Sequence, residues 1–509
     1  MPAKDRIVAA FSPELLEEMG NRLATLLAQH FRQVQSDETA VLNWRLPADN
    51  VADAKGWMDG DRPAANDDEE LVDRFAVIVQ AALDGGMNLH HRRYAGHQVP
   101  ASVPLAGWFD AVGSVTNQVM AIYEMGPWAS AVEQAVLNVV GEKIGFASDR
   151  FGGLITSGAS LANLTALSAA RNVSLDGIWE QGVWQQGVWQ QGGWQGGWSS
   201  RKAPVLVTHT EAHYSVTRSA GILGIGTDHL IKAPMNARRA TDPEQLDTLL
   251  GDLRRRGVPI VAMSAAACAT PIGAFDSLPD IVDVCRRHEV WLHVDAAHGG
   301  AACMSRKYRH LIEGLDGADS VVCDAHKMFF MPALCALLFY RNAEHAYCAF
   351  DQQAPYLFDP LAGEVAEYDS GKRTLECTKR AAAYGLWGTW SLFGPQLFED
   401  MVDTTFDLGQ AFYELLDEAE DFEALYPPEC NIVAFRYCPA GTQMSDVELD
   451  EFQLRLRRRV IESGDSYLVA NRLDGQNVLR TTIINPLTRI EDLGVLLDYI
   501  RFHGKRLLD

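Results

Sequence analysis

The chain has 509 residues, 47% of them hydrophobic, and its 44 basic and 67 acidic residues give a net charge of −23. That length suits two or three domains, and the charge argues against nucleic acid and against an anionic membrane surface as partners. No run approaches the roughly 18 apolar residues of a membrane span, and the N-terminus has no apolar signal core.

Residues 11–34 read as an amphipathic helix. Ser12 can cap it, Pro13 suits its first turn, and Leu15, Leu16, Met19, Leu23, Leu26, Leu27 and Phe31 fall on one stripe. That stripe must be buried on something, a second subunit being one choice. A polar connection over 45–69 leads to a second helix at about 68–83. Residues 87–100, MNLHHRRYAGHQVP, are dense in polar and aromatic groups, which fit a site or a solvated loop. Helical pattern resumes over 108–146, with a turn at 123–127.

FGGLIT (151–156) is a short strand, SGAS (157–160) a turn, and LANLTALSAARNV the helix that follows. Strand, small-residue turn and helix make a natural phosphate cup: Gly158 and Ala159 let the backbone approach, and Ser157 and Ser160 add hydroxyls. Residues 177–198 then repeat with a five-residue period, GIWEQ, GVWQQ, GVWQQ, GGWQG, GW, holding Trp179, Trp184, Trp189, Trp194 and Trp198. That period matches neither helix nor strand and reads as a low-complexity surface insertion, with a sticky contact as the functional alternative.

Strand-like runs and helical patterns alternate from 151 to 340, which predicts a large α/β domain. PVLVTH (204–209) leads to His213, and PIVAMSAAA (259–267) to Thr270. VWLHVD ends in Asp295, and DSVVCDAHKM carries Asp324, His326 and Lys327. Runs that are apolar on both faces and end in polar groups suggest a parallel sheet with a site along its carboxyl edge. A carboxylate and a lysine at neighbouring strand ends are what pyridoxal phosphate needs: the lysine forms an imine with the aldehyde, and the carboxylate keeps the ring nitrogen protonated. A buried ion pair across a sheet is the plainer reading of those two residues alone.

Residues 343–375 lack clear periodicity, a feature of functional lids. A helix at about 378–393 leads to an α+β lobe, with helices near 396–418 and 446–463 and strands at 431–438 and 477–485. Arg480 interrupts an apolar strand and needs a partner, a substrate carboxylate or a structural acid. The nine cysteines are scattered without paired spacing, several (Cys268, Cys323, Cys335) in apolar context. They read as reduced core residues of a cytoplasmic protein, and no metal ligands are read from the sequence.

Several motifs in order, HVDAAHGG, MSRKYRH, HKM, APYLF, YDSGKRTLECTKR, TSGASLANLTAL and LRTTIINP, make residues 90–500 resemble the group II pyridoxal-phosphate decarboxylases. That family acts on glutamate, cysteine sulfinate, 2,4-diaminobutyrate and aromatic amino acids. The resemblance implies the fold-type-I transferase-like architecture: a mostly parallel central sheet with helices on both faces, an N-terminal helical segment (1–90), a large cofactor domain (91–394, with a mobile catalytic loop at 351–377) and a small C-terminal α+β domain (395–509). It also implies a homodimer with active sites at the subunit interface.

Carried over by position, Lys327 would be the Schiff-base lysine and Asp295 the partner of the pyridinium nitrogen. His213 would stack on one face of the ring and Ala297 pack on the other. Ser157, Gly158, Ala159, Ser160, His326 and Asp324 would hold the phosphate, and Thr270 would lie near the ring substituents. Tyr368 matches a catalytic tyrosine, His97 and Gln98 match substrate-pocket residues, and Arg480 matches an arginine that binds a substrate carboxylate. Cys268 and Ala269 depart from the usual Gly-Thr ahead of Thr270, and His298 replaces the usual Trp or Tyr. The resemblance favours decarboxylation of an acidic amino acid, with diaminobutyrate or aromatic substrates next. Decarboxylation-coupled oxidation to an aldehyde is the further alternative, against which the retained Tyr368 argues.

Overall fold

The computed structural model describes residues 3–58, 65–182, 202–350, 358, 361, 363–442 and 444–509. The tryptophan repeat beyond Gly182, and residues 351–357, 359–360 and 362 of the expected catalytic loop, lie outside these residues. The chain divides into two compact units: residues 98–413 with 425–434, and residues 1–97 with 414–424 and 435–509.

The larger unit is built on a seven-stranded sheet. Its strands are β1 (Gly152–Thr156), β2 (Val205–His209), β3 (Leu230–Ala233), β4 (Ile260–Ala266), β5 (Leu292–Asp295), β6 (Ser320–Asp324) and β7 (Ala336–Tyr340), in the order β1-β7-β6-β5-β4-β2-β3. The pairs β2–β3, β2–β4, β4–β5 and β5–β6 are parallel, while β7 runs antiparallel to both β1 and β6. Apart from the edge strand β3, the parallel strands are buried along nearly their whole length, as the unbroken apolar runs require.

Helix α1 (Ala159–Ser174) follows β1 and packs on the sheet through small residues, Ala162, Ala166, Ala169 and Ala170, against Leu206, Val261, Val322 and Leu338. Alanine lets helix and sheet approach closely, so the first turn of α1 is seated beside the carboxyl ends of the strands. Gly158 opens that turn at φ +134°, a backbone region that side chains disfavour. The polar sequence of the turn is thus dictated by geometry as well as by chemistry.

β1 pairs with β7 alone, so its outer backbone needs other partners. Side chains supply them. Glu133 Oε1 accepts the Ile155 amide at 3.2 Å, Lys379 Nζ donates to the Ile155 carbonyl at 2.8 Å, and Arg373 donates to the Gly153 carbonyl at 3.1 Å. Glu133 and Lys379 also pair with each other at 2.5 Å, with both side chains nearly inaccessible.

A second sheet, in the order β8-β9-β11-β10, is formed by β8 (Phe422–Ala424), β9 (Ile432–Tyr437), β10 (Val469–Leu473) and β11 (Gln476–Thr482), and all but residues 432–434 of β9 belong to the smaller unit. This unit also holds the helix Pro13–Gln35, which Ser12 caps by accepting the Leu15 amide at 3.1 Å. Its expected apolar stripe is covered only in part: Leu15 is buried, but Leu16 and the neighbouring Phe11, Val8 and Ile7 are exposed.

Glu133→Ala leaves Lys379 buried without its carboxylate and strips the Ile155 amide of its acceptor. Loss of one partner of a buried pair costs about 3–5 kcal/mol, so a marked fall in the denaturation midpoint is expected by calorimetry, and an unchanged midpoint would refute this account of the edge.

Candidate active site

The carboxyl edge of the large sheet gathers the polar residues expected there. Asp295 closes β5 and Asp324 closes β6, its neighbour in the sheet. Asp295 Oδ2 accepts from Asn163 Nδ2 at 2.9 Å, and its Oδ1 accepts the Ala297 amide at 3.2 Å. Lys327 Nζ stands 3.4 Å from Asp324 Oδ2, and His326 Nε2 3.5 Å from the same oxygen. Burial pushes the Asp324 carboxyl up, and Lys327 and His326 pull against it. The second oxygen of Asp324, Oδ1, is buried without a hydrogen-bond partner.

His213 caps the helix α2 (Tyr214–Ile222) and interacts electrostatically with both Asp295 and Lys327. Burial lowers its pKa; Asp295 opposes this, while Lys327 and Arg218 add to it. The ring is therefore neutral at pH 7. Its Nδ1 lies 2.8 Å from Ser215 Oγ and also accepts the Ser215 amide. With Nδ1 an acceptor, the ring proton sits on Nε2.

Behind Asp295 runs a buried network whose connections the sequence did not announce, although Asn163 and His293 fall inside two of the motifs. Asn163, on α1, donates both amide hydrogens, one to Asp295 and one to Ser215 Oγ at 2.9 Å. Its Oδ1 lies 3.0 Å from His293 Nε2. His293 Nδ1 lies 2.9 Å from Ser320 Oγ, which accepts from Trp291 Nε1 at 3.0 Å. Every proton in this chain is assigned: Trp291 donates to Ser320, Ser320 to His293, His293 to Asn163, and Asn163 to Asp295. Burial brings the His293 pKa down to about 4, which keeps the ring neutral as the chain requires. These residues sit inside apolar strand and helix patterns, where a lone polar residue carries no distinguishing spacing.

At the β1–α1 turn, Thr156 Oγ1 donates to the Gly158 carbonyl at 3.1 Å, and the Leu161 and Ala162 amides bond to the same carbonyl. The Ala159 and Ser160 amides come earlier in the first turn, where helices lack internal partners. Ser157 and Ser160 are exposed, and Ser157 Oγ lies 3.5 Å from Glu376. Thr270 is half-buried on the loop after β4. Ala297 is buried, and the Gly299–Gly300 pair beyond it is packed too tightly for side chains: a Cβ would strike the Phe275 ring at the first and the Cys323 sulfur at the second.

Tyr368 packs its ring on Tyr123 at 5.6 Å, and Asp369 accepts the Tyr123 amide at 2.9 Å. Among the described residues, no hydrogen bond joins Tyr368 to Lys327 or Asp295. His97 and Arg480 come together in the smaller unit. Burial lowers the His97 pKa, and Arg480 and Arg457 reinforce the shift. Arg480 lies on β11 and is buried. Gln98 follows His97 at the start of the larger unit.

The pyridoxal-dependent decarboxylase conserved domain matches residues 61–438. The chain belongs to the pyridoxal-dependent decarboxylase family. It is 31% identical over 398 residues to the human acidic amino acid decarboxylase GADL1, covering 76% of this chain and 73% of that one. The crystal structure of mouse CSAD superposes with a TM-score of 0.83 at 24% identity, over 97% of this chain and 99% of the other. That of Oryza sativa TDC with pyridoxal phosphate and tryptamine gives 0.84 at 18% identity, over 98% and 99%. The chain is a pyridoxal-phosphate-dependent amino acid decarboxylase.

The residues present fit that cofactor. An amine held against a buried carboxylate, a second carboxylate fixed by a neutral amide, and a helix N-terminus opened by a positive-φ glycine are the groups that would suit its aldehyde, ring nitrogen and phosphate respectively. Among the described residues of the decarboxylase, no helix is long and apolar enough to cross a membrane.

Asn163→Ala deprives Asp295 of its amide donor. A hydrogen bond to a charged group contributes about 1.5–3 kcal/mol, so cofactor affinity, measured by absorbance titration, is expected to fall roughly 10-fold or more with the fold retained by circular dichroism. Unchanged affinity would remove Asn163 from the cofactor-holding network.

Proposed function

We propose that this decarboxylase converts an acidic L-amino acid to its amine and carbon dioxide, with the roles below. Bound pyridoxal phosphate supplies a protonated ring that takes up the electron pair left when the carboxylate departs. Lys327 is the amine that would hold the cofactor's aldehyde. Asp295, oriented by Asn163, keeps the proton on the ring nitrogen. His213, neutral and with its proton on Nε2, covers one face of the ring, and Ala297 the other. Ser157, Gly158, Ala159, Ser160 and His326 hold the phosphate, with Thr270 beside the ring substituents. A buried carboxylate repels a phosphate, so Asp324 is assigned here to steady Lys327 rather than to bind phosphate. Tyr368 delivers the proton to Cα.

The observation that carries the reading is the pair of carboxylates at neighbouring strand ends, one held by Asn163 and the other holding Lys327. The acidic substrate draws on two supports. Arg480 and Arg457, beside a His97 whose cationic form they disfavour, make a positive group suited to a carboxylate and unsuited to the ammonium of diaminobutyrate. The human relative is an acidic amino acid decarboxylase. We assign Arg480 to the substrate carboxylate, with His97 and Gln98 beside it. A homodimer accounts for the exposed Ile7, Val8, Phe11 and Leu16 near the N-terminus, and nine free cysteines suit the cytoplasm.

A panel of L-amino acids assayed for carbon dioxide release tests the substrate. Glutamate, aspartate or cysteine sulfinate should turn over fastest, and faster release from an aromatic amino acid or diaminobutyrate would overturn the reading. Lys327→Ala should abolish release while circular dichroism is unchanged, and substantial amine from that variant would sink the assignment of the lysine. Arg480→Ala, losing a charge-assisted hydrogen bond, should raise KM for the acidic substrate roughly 10-fold or more; an unchanged KM would take the arginine out of substrate recognition.

A further inference from the structure

Three residues distant in sequence converge beneath the sheet edge: Cys268 from the loop after β4, His298 from the turn after β5, and Cys430 from the segment that leads into β9. One sulfur or nitrogen of each lies within 4.8 Å of the others, and all three residues are buried. The two Sγ atoms are 3.8 Å apart. Nothing in the cofactor chemistry calls on these groups.

We propose that Cys268, His298 and Cys430 bind a zinc ion as a structural site. Zinc bonds thiolate sulfur at about 2.3 Å in a tetrahedron, which sets two sulfurs about 3.8 Å apart. A hydrogen-bonded thiol pair would keep the same spacing, so the histidine decides. Its Nε2 lies 2.8 Å from Asn431 Oδ1, and the Asn431 amide nitrogen in turn donates to Met328 Sδ at 3.4 Å. Asn431 thus presents an oxygen acceptor, which places the ring proton on Nε2. Nδ1 is left as a lone pair, buried and outside ordinary hydrogen-bond distance, with the Cys430 thiol beside it. That is how a metal-ligating histidine is held: the nitrogen away from the metal donates to a fixed acceptor, and the other is free to ligate. A buried ring nitrogen with no partner is costly unless something meets it.

Charge selects the ion. Two thiolates and a neutral imidazole around a divalent cation sum to zero. A monovalent soft cation would leave one uncompensated negative charge in a site closed to water. The Cys430 thiol also lies 3.7 Å from the Gly273 carbonyl oxygen. A zinc ion here ties the 425–434 segment to the loops after β4 and β5, and through Asn431 and Met328 it reaches the residue beside Lys327. The expectation of a metal-free chain is revised accordingly. The ligands are separated by 30 residues or more, far beyond the short spacings that mark zinc sites in a sequence.

The test uses the holoenzyme expressed with zinc supplementation, desalted, and analysed by inductively coupled plasma mass spectrometry. About one zinc per chain is expected. Cys268→Gly and His298→Tyr restore residues usual at those positions in the resembling family and are chosen to keep the fold; each should reduce zinc at least about tenfold. Replacement by Co2+ should give the intense visible bands of tetrahedral cobalt thiolate, lost in Cys430→Ser. Zinc below about one-tenth equivalent in the parent protein would overturn the proposal. So would full zinc retention in Cys268→Gly, or a Cys268–Cys430 disulfide found by non-reducing peptide mapping.

Discussion

A carboxylate at the end of a buried strand is held in place by Asn163, and the cofactor site depends on that contact. Asp295 sits where a charge is expensive to desolvate. Asn163 offers it a hydrogen from a neutral amide, so the charge is met without a second cation competing for it. The same amide reaches Ser215, which fixes the tautomer of His213. One side chain on α1 therefore sets the two groups assigned to the ring nitrogen and the ring face. The alanine-lined approach of α1 to the sheet brings Asn163 within reach and also places the phosphate turn. Packing and chemistry are specified by the same helix.

The direction of the network follows from its ends. Trp291 Nε1 can only donate and a carboxylate can only accept, so Ser320, His293 and Asn163 between them have a single consistent arrangement of hydrogens. Lowering the His293 pKa serves this arrangement, because a doubly protonated ring would set a donor against the Ser320 hydroxyl hydrogen. The polar core is thereby a template that orients Asp295, in addition to whatever it adds to stability.

Much of this was legible in the sequence, for a physical reason. Parallel strands buried on both faces appear as apolar runs, and their carboxyl ends appear where the runs stop, so Asp295, Asp324, Lys327 and the SGAS turn stood out. Asn163, His293 and Ser320 did not, because each is a polar residue inside a largely apolar pattern and its partners lie across the sheet; Ser215 did not, because a serine at the polar start of a helix is ordinary. β7 was also hard to orient: ALLFY is as apolar as its neighbours, and only pairing reveals that it runs the other way between β1 and β6. Cys268 and Cys430 are 162 residues apart, and their approach is a property of the fold alone.

The edge of the sheet has a consequence for assembly. At β1 the outward amide of Ile155 and the outward carbonyls of Gly153 and Ile155 are already engaged by Glu133, Arg373 and Lys379. Another chain laying a strand alongside would have to displace a nearly inaccessible ion pair before gaining its first main-chain bond. This margin is closed to fibre-like addition.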